Sequence, residues 1–268
     1  MSIWNKLRRA WKGTPTPRLP NFLICGAARS GTTSMWQYLR QHPDIHMPPV
    51  LEQKEPSYFC DSCGVTDREV YLSLFADAGS KSRVGEASGS YLTSPESPGR
   101  IKAMIPDARI LILLRNPAER AWSLYKWMCE NGHEKIPSFE AALKAEETER
   151  FNNPSFLQNN GQYYPNFLYF RSGLYHDQVK RFFDSFGREH VKVLLFEEMT
   201  LDPRAAVRQA FEFLAVDPAF VPTIEIHNPS SHRRSFDPGL RRQLMERYAS
   251  EIEAVGRLLG RELKPLWS

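Results

Sequence analysis

From residue 21 onward, short apolar runs alternate with amphipathic stretches. Asn21-Phe-Leu-Ile-Cys25, Arg109-Ile-Leu-Ile-Leu-Leu114 and Val191-Lys-Val-Leu-Leu-Phe196 are runs of the kind that form strands buried on both faces of a parallel sheet. Arg83-Val-Gly-Glu86 reads as a further short strand. Between them the pattern predicts helices over Thr32–Gln41, Pro95–Ile105, Pro117 to Glu130, Tyr175–Phe186, Pro203–Leu214 and Pro238–Leu259. Pro117 suits the first turn of its helix, where the missing N–H loses nothing. Strands alternating with helices predict an α/β fold: one domain with a central parallel sheet flanked by helices.

Two segments depart from this alternation. Residues 1–20 divide into a basic amphipathic stretch, with Ile3, Trp4, Leu7 and Trp11 on one helical face, and the stiff linker Thr14-Pro-Thr-Pro-Arg-Leu-Pro20. Residues 1–12 could fold back on the body or rest on a membrane surface as a peripheral contact. Residues 131–168 are polar and rich in Asn, Pro and Tyr, with a short helix near Phe139–Glu149. Such a long insertion is often a lid or substrate loop. The main domain is read as 21–268.

Composition narrows the class. The 268 residues are 41% hydrophobic and 25% charged, enough apolar material for a core and unlike a disordered chain. A net charge of +4 is too small an excess to argue for nucleic acid, so no nucleic-acid partner is expected. No apolar window is long enough to span a membrane, and Met1–Gly13 lacks the features of an export signal. A cytoplasmic protein, with at most surface association with a membrane and with reduced thiols, is therefore expected. Cys60-Asp61-Ser62-Cys63 has the spacing of half a zinc site or a redox pair, but no second pair accompanies it, so a structural or incidental role is expected.

The chemistry concentrates after the first strand. Gly26-Ala-Ala-Arg-Ser-Gly-Thr-Thr33 lies between a strand and a helix, an arrangement that brings backbone N–H groups onto an anion. Ser30, Thr32 and Thr33 add hydroxyls, and Arg29 adds a permanent planar charge. A nucleoside-triphosphate P-loop needs Lys directly after the second glycine. Here Thr32 follows Gly31, and the strand at 109–114 ends in Arg115 rather than in an acid that could hold magnesium. No metal is expected. Arg115 stands at the carboxyl end of a core strand, where open α/β sheets bind ligands, and Ser123 follows on the next helix. Two cationic cradles suit a nucleotide phosphorylated at both ends of its ribose, such as 3′-phosphoadenosine 5′-phosphosulfate (PAPS).

With these motifs in order, the chain resembles the PAPS-dependent sulfotransferase family, in particular its carbohydrate and heparan-sulfate-type members, in a soluble, bacterial-like form. Ala28-Arg-Ser-Gly-Thr-Thr33 is similar to the family's 5′-phosphosulfate loop, and Arg115 to Ser123, within L-R-N-P-x-x-R-A-x-S, to its 3′-phosphate motif. The resemblance implies a P-loop-like sulfotransferase fold and PAPS as donor, with PAP, 3′-phosphoadenosine 5′-phosphate, as product. It makes Arg29, Ser30, Gly31, Thr32 and Thr33 ligands of the 5′ phosphosulfate, and Arg115 and Ser123 ligands of the 3′-phosphate. Arg233 and Arg234, in Ser230-Ser-His-Arg-Arg-Ser235, occupy the place of a basic loop that closes over the nucleotide. The acceptor implied is a glycan, glycolipid or small hydroxylated metabolite, sulfated on a hydroxyl or amine.

The same resemblance places a general base at Glu55, 26 positions after Arg29, with Lys54 beside it to balance charge or touch the bridging oxygen. Glu86, expected just past a strand within reach of the acceptor, is the second candidate. Arg29 is expected to steady the departing 5′-phosphate. Two alternatives stand beside this reading: a P-loop-type nucleotide kinase, and a PAP-binding protein without catalysis.

Overall fold

The computed structural model describes residues 18–51, 54–153, 156, 162–225 and 235–268. Strand β1 (Phe22–Ile24) leads into helix α1 (Thr32–Leu39) and strand β2 (Ile45–His46). Then come α2 (Arg68–Ser73), β3 (Arg83–Ala87), α3 (Ser90–Thr93), α4 (Ser97–Met104), β4 (Arg109–Leu114) and α5 (Pro117–Glu130). The rest comprises α6 (Phe139–Ala145), α7 (Tyr175–Phe186), β5 (Val191–Leu195), α8 (Phe196–Leu201), α9 (Pro203–Leu214), α10 (Pro238–Leu259) and α11 (Lys264–Trp267).

The five strands form one parallel sheet in the order β2-β3-β1-β4-β5. Phe22 is paired with Gly85 on one side and Arg109 on the other, which fixes the central register. Side-chain alternation then divides the core in two. Leu23, Cys25, Ile110, Ile112 and Leu114 face α4, α5, α7 and α10. Phe22, Ile24, Leu111 and Leu113 face α1 and α9. The chain leaves β1 for strands on both sides, so the carboxyl ends of β1 and its neighbours border a crevice at the switch in strand order.

The α/β architecture, the three apolar runs and the short strand at 83–86 agree with the pattern of the sequence. The first helix is shorter than its periodicity suggests, because His42 turns the chain after Leu39: its Nδ1 accepts from Asp44 N–H at 3.0 Å and its Nε2 lies 3.1 Å from the Asp217 carbonyl. The helix expected from Pro95 begins at Ser97, where the Ser94 hydroxyl accepts from Ser97 N–H at 3.3 Å. The two-residue β2 and the short α2, α3, α8 and α11 fall below the length at which periodicity shows.

The 131–168 segment is anchored at its base. Glu134 and Arg150, both buried, pair at 2.7 Å, and the Tyr169 hydroxyl donates to Glu134 at 2.7 Å. Glu146, also buried, accepts from Phe170 and Arg171 N–H at 2.7 and 2.8 Å. Among the described residues no helix is long and apolar enough to cross a membrane. The basic stretch 1–12 lies outside the described residues.

Candidate active site

The loop after β1 continues the sheet before it turns. Ala27 N–H donates to the Leu113 carbonyl and Leu113 N–H to the Gly26 carbonyl, both at 2.7 Å. The turn then requires glycine at Gly31, whose φ is +86°. A Cβ there would stand 2.3 Å from Met199 Cε and 3.0 Å from the Phe196 ring of α8. Gly31 caps α1 without any side-chain acceptor, which leaves the first amides of the helix as donors toward the crevice. Ser30 Oγ is buried without a hydrogen-bond partner of normal geometry, the Tyr175 hydroxyl being close by.

The two arginines expected in separate cradles share one crevice. Arg29 Nε donates to Ser123 Oγ at 3.3 Å, and Arg115 Nη1 donates to the Arg29 carbonyl at 3.3 Å. Arg115 also lies over the Phe196 ring, 4.6 Å from its centroid, while the Tyr175 hydroxyl donates to its carbonyl at 3.0 Å. Burial and then the neighbouring Arg115 pull Arg29 below the ordinary arginine range. Burial does the same to Arg115, partly offset by Glu119 and Glu197. Two half-buried guanidiniums side by side are an unfavourable arrangement that an anion between them relieves.

Lys54 ties the candidate base to this loop. Its ammonium is buried, 2.6 Å from Glu55 Oε1 and 3.5 Å from Thr32 Oγ1. The Glu55 side chain is half exposed, 51%, so it opens toward solvent. The Lys54 carbonyl accepts from Ala87 N–H at 3.2 Å, which fastens the segment to the end of β3.

Glu86 is placed differently from its expected position. It lies within β3 rather than past its end, and it is fully buried. Its oxygens accept from the Tyr91 hydroxyl at 2.6 Å and the Ser88 hydroxyl at 2.8 Å. Burial pushes its carboxyl up to about 8 against the lowering effect of those two bonds. The Ser88 hydroxyl also accepts from Ser57 N–H at 3.0 Å, so Glu86 supports the segment that carries Lys54 and Glu55. Arg233 and Arg234 lie outside the described residues.

One neighbour escaped the sequence reading. Lys126 follows Ser123 by three positions on α5, and hence on the same helical face. Burial lowers its ammonium, Glu130 raises it, and Arg115 and Arg29 lower it further. The i, i+3 spacing from Ser123 was the available signal.

Arg29, Ser30, Gly31, Thr32, Lys54, Glu55, Arg115 and Ser123 therefore meet at one place: a cationic crevice with unclaimed amides, a buried hydroxyl beside that of Tyr175 and a half-exposed carboxylate. These donors fit a polyanionic nucleotide. Among the described residues no three His, Cys, Asp or Glu side chains gather as metal ligands.

Comparison with known proteins agrees with this geometry. A family model described as "Sulfotransferase domain" matches residues 19–238. The chain is 25% identical to the bifunctional heparan sulfate N-deacetylase/N-sulfotransferase 4 of Mus musculus, over 92% of this chain and 27% of that protein. It is 28% identical to the heparan sulfate glucosamine 3-O-sulfotransferase 6 of Homo sapiens, over 74% of this chain and 53% of that protein. The chain thus spans about half or less of the length of these curated relatives. A crystal structure of a sulfotransferase from Alicyclobacillus acidocaldarius superposes with a TM-score of 0.81 at 35% identity, covering 94% of this chain and all of that one, 100%. The fold, at 17% identity and a TM-score of 0.54, is also that of mouse sulfotransferase SULT7A1, solved in complex with PAP, over 91% of this chain and 89% of that one. The chain belongs to the sulfotransferase domain family.

Proposed function

We propose that this protein is a PAPS-dependent sulfotransferase that moves a sulfuryl group onto a hydroxyl or amine of a glycan, glycolipid or small hydroxylated acceptor. The observation that carries the reading is the junction of Arg29, Ser123 and Arg115, two cationic motifs that close on a single crevice. Arg115 and Ser123 hold the 3′-phosphate. The loop amides, Ser30, Thr32, Thr33 and Arg29 hold the 5′ phosphosulfate.

Glu55 takes the proton from the acceptor as its oxygen or nitrogen attacks sulfur in line. The bond between sulfur and the bridging oxygen breaks, and Arg29 and Lys54 stabilise the charge that collects on the departing 5′-phosphate. Glu86 acts from behind, through Ser88, on the position of Glu55. Arg233 and Arg234 add further phosphate contacts. The acceptor class rests on the heparan sulfate enzymes among the relatives. A cytoplasmic location, with residues 1–12 either folded back on the body or resting on a membrane surface, completes the proposal.

Calorimetry with PAP and with ATP, each with and without Mg²⁺, tests it. PAP binding that needs no metal is expected. Mg²⁺-dependent ATP binding in its place would make the chain a nucleotide kinase. PAP binding without any transfer from labelled PAPS across an acceptor panel would make it a binding protein.

A further inference from the structure

The loop that follows Glu55 closes on itself. Val65 N–H donates to the Pro56 carbonyl at 2.8 Å, and Cys60 N–H to the Ser57 carbonyl at 3.0 Å. At its tip Asp61 and Ser62 are exposed and occupy a turn, with Cys60 and Cys63 on either side of it. Both cysteines are free thiols, and their sulfurs lie 3.2 Å apart, Cys63 donating to Cys60. The ends of a four-residue turn stand within about 7 Å of each other, inside the span that a disulfide bridges. Cys60 is buried, whereas Cys63 is half-buried and reachable from the surface.

The surroundings favour a thiolate on one sulfur. The bond from Cys63 pulls the Cys60 thiol below its ordinary range against the opposing effect of burial, and the Ser62 hydroxyl, 3.5 Å away, helps. The same bond and burial hold the proton on Cys63. A donor thiol and an acceptor thiolate in contact are the ground state from which thiol–disulfide exchange proceeds.

We propose that Cys60 and Cys63 form a redox-active dithiol that closes to an intramolecular disulfide by exchange with a low-molecular-weight disulfide. Cys63 attacks because it is the sulfur reachable from the surface: its proton first shifts along the hydrogen bond to Cys60, against the resting preference, and the Cys63 thiolate so formed attacks one sulfur of the small disulfide. That S–S bond breaks, one thiolate leaves, and a mixed disulfide remains on Cys63. The departing thiolate takes the proton from Cys60, whose sulfur then attacks Cys63 Sγ and expels the second thiolate. Two electrons pass from the cysteine pair to the small disulfide, which ends as one thiol and one thiolate.

The position gives the modification a consequence for the crevice. The loop is held from outside by Glu96, which accepts from Asp61 N–H at 2.9 Å, and by the Arg100–Asp61 ion pair at 2.5 Å. It is held from inside by Ser90, whose hydroxyl donates to Ser57 Oγ at 2.8 Å. Lys54 and Glu55 directly precede Pro56, so a covalent clasp at the tip acts on the same closed loop that they enter.

The test uses the full chain, reduced and then equilibrated with graded mixtures of reduced and oxidised glutathione. Remaining thiols are trapped with N-ethylmaleimide and mapped by peptide mass spectrometry. The expected product is a peptide in which Cys60 and Cys63 carry no label, lighter by two hydrogens than the reduced form and restored by dithiothreitol. Cys60→Ser is expected to stop at a stable glutathione adduct on Cys63, and Cys129→Ser to behave as the parent. Labelling of both cysteines throughout the series, or a wild-type glutathione adduct that never resolves, would overturn the proposal. The mapping on the unsubstituted chain decides the matter even where a serine variant folds poorly, and it does not depend on which reaction the crevice catalyses.

Discussion

Arg29 and Ser123, 94 positions apart in sequence, are joined by a hydrogen bond of 3.3 Å from the guanidinium to the hydroxyl. A residue from the loop after β1 thus touches a residue from the helix after β4, and the central pair of strands is what brings them together. The guanidinium of Arg115 supports the same loop through the Arg29 carbonyl. The two anion motifs are parts of one surface, and each cation is positioned by the other motif.

Arg115→Ala is expected to weaken PAP binding by about 10- to 100-fold, the worth of charge-assisted hydrogen bonds of about 1.5–3 kcal/mol. Ser123→Ala removes one neutral donor and is expected to cost about tenfold or less. Calorimetry on both variants checks this. Unchanged affinity in Arg115→Ala would remove that residue from the nucleotide site.

Arg29→Ala should show the opposite emphasis. If Arg29 meets charge that develops on the leaving phosphate, its removal lowers turnover by about 10²-fold while PAP affinity falls much less. Arg29→Lys, which keeps the charge but not the planar fork, should recover part of the rate. A loss confined to PAP affinity would contradict the assigned role.

Glu55→Gln keeps shape and hydrogen bonding but cannot accept the acceptor proton. A fall in turnover of about 10²- to 10⁴-fold is expected, with PAP affinity held within a few-fold. The pair with Lys54 at 2.6 Å makes Lys54→Met a useful companion. It removes a buried charge that contacts both Thr32 and Glu55 and should lower turnover too. Full activity in Glu55→Gln would transfer the base to another group.

Much of this arrangement is legible in the sequence alone. The runs at 22–24 and 110–114 are unbroken because those central strands are covered on both faces, whereas Lys192 interrupts the edge strand 191–195, which is only partly covered. The glycines of the loop were legible because steric crowding at Gly31 admits nothing larger. The enclosure of Glu86 was not legible, since its partners Ser88 and Tyr91 are near in sequence but their orientation is set by packing around Tyr71 and Phe59. Contacts such as Arg29 to Ser123 depend on strand order, which no local pattern encodes.

Gly31→Ala tests the geometry of the loop itself. Alanine at φ +86° is strained, and its methyl group would collide with Met199 and Phe196. A loss of about 1–3 kcal/mol in unfolding free energy is expected. Nucleotide affinity should fall beyond what stability explains, because Phe196 also carries the Arg115 guanidinium. Urea titration and calorimetry on the same variant separate the two effects. Substitution without either change would mean that the turn relaxes freely.

Glu86 offers a pH-dependent test that is independent of turnover. Its carboxyl is raised from 4.5 to about 8, chiefly by burial. Between those values the folded chain keeps a proton that the unfolded chain has released, so raising the pH favours unfolding. The stability contributed by the neutral carboxyl is complete below 4.5 and is lost as the pH climbs through about 8. Glu86→Gln keeps a neutral group of the same size at every pH. The difference in unfolding free energy between the parent and Glu86→Gln should therefore drift by up to about 1.4 kcal/mol per pH unit, against the parent, and then level off once Glu86 ionises in the folded chain. Urea midpoints at pH values from about 5 to 9 measure the drift. Parallel curves for the two proteins would show that Glu86 is ionised when folded, and the reading of a neutral carboxyl propping the Lys54–Glu55 segment through Ser88 would fail.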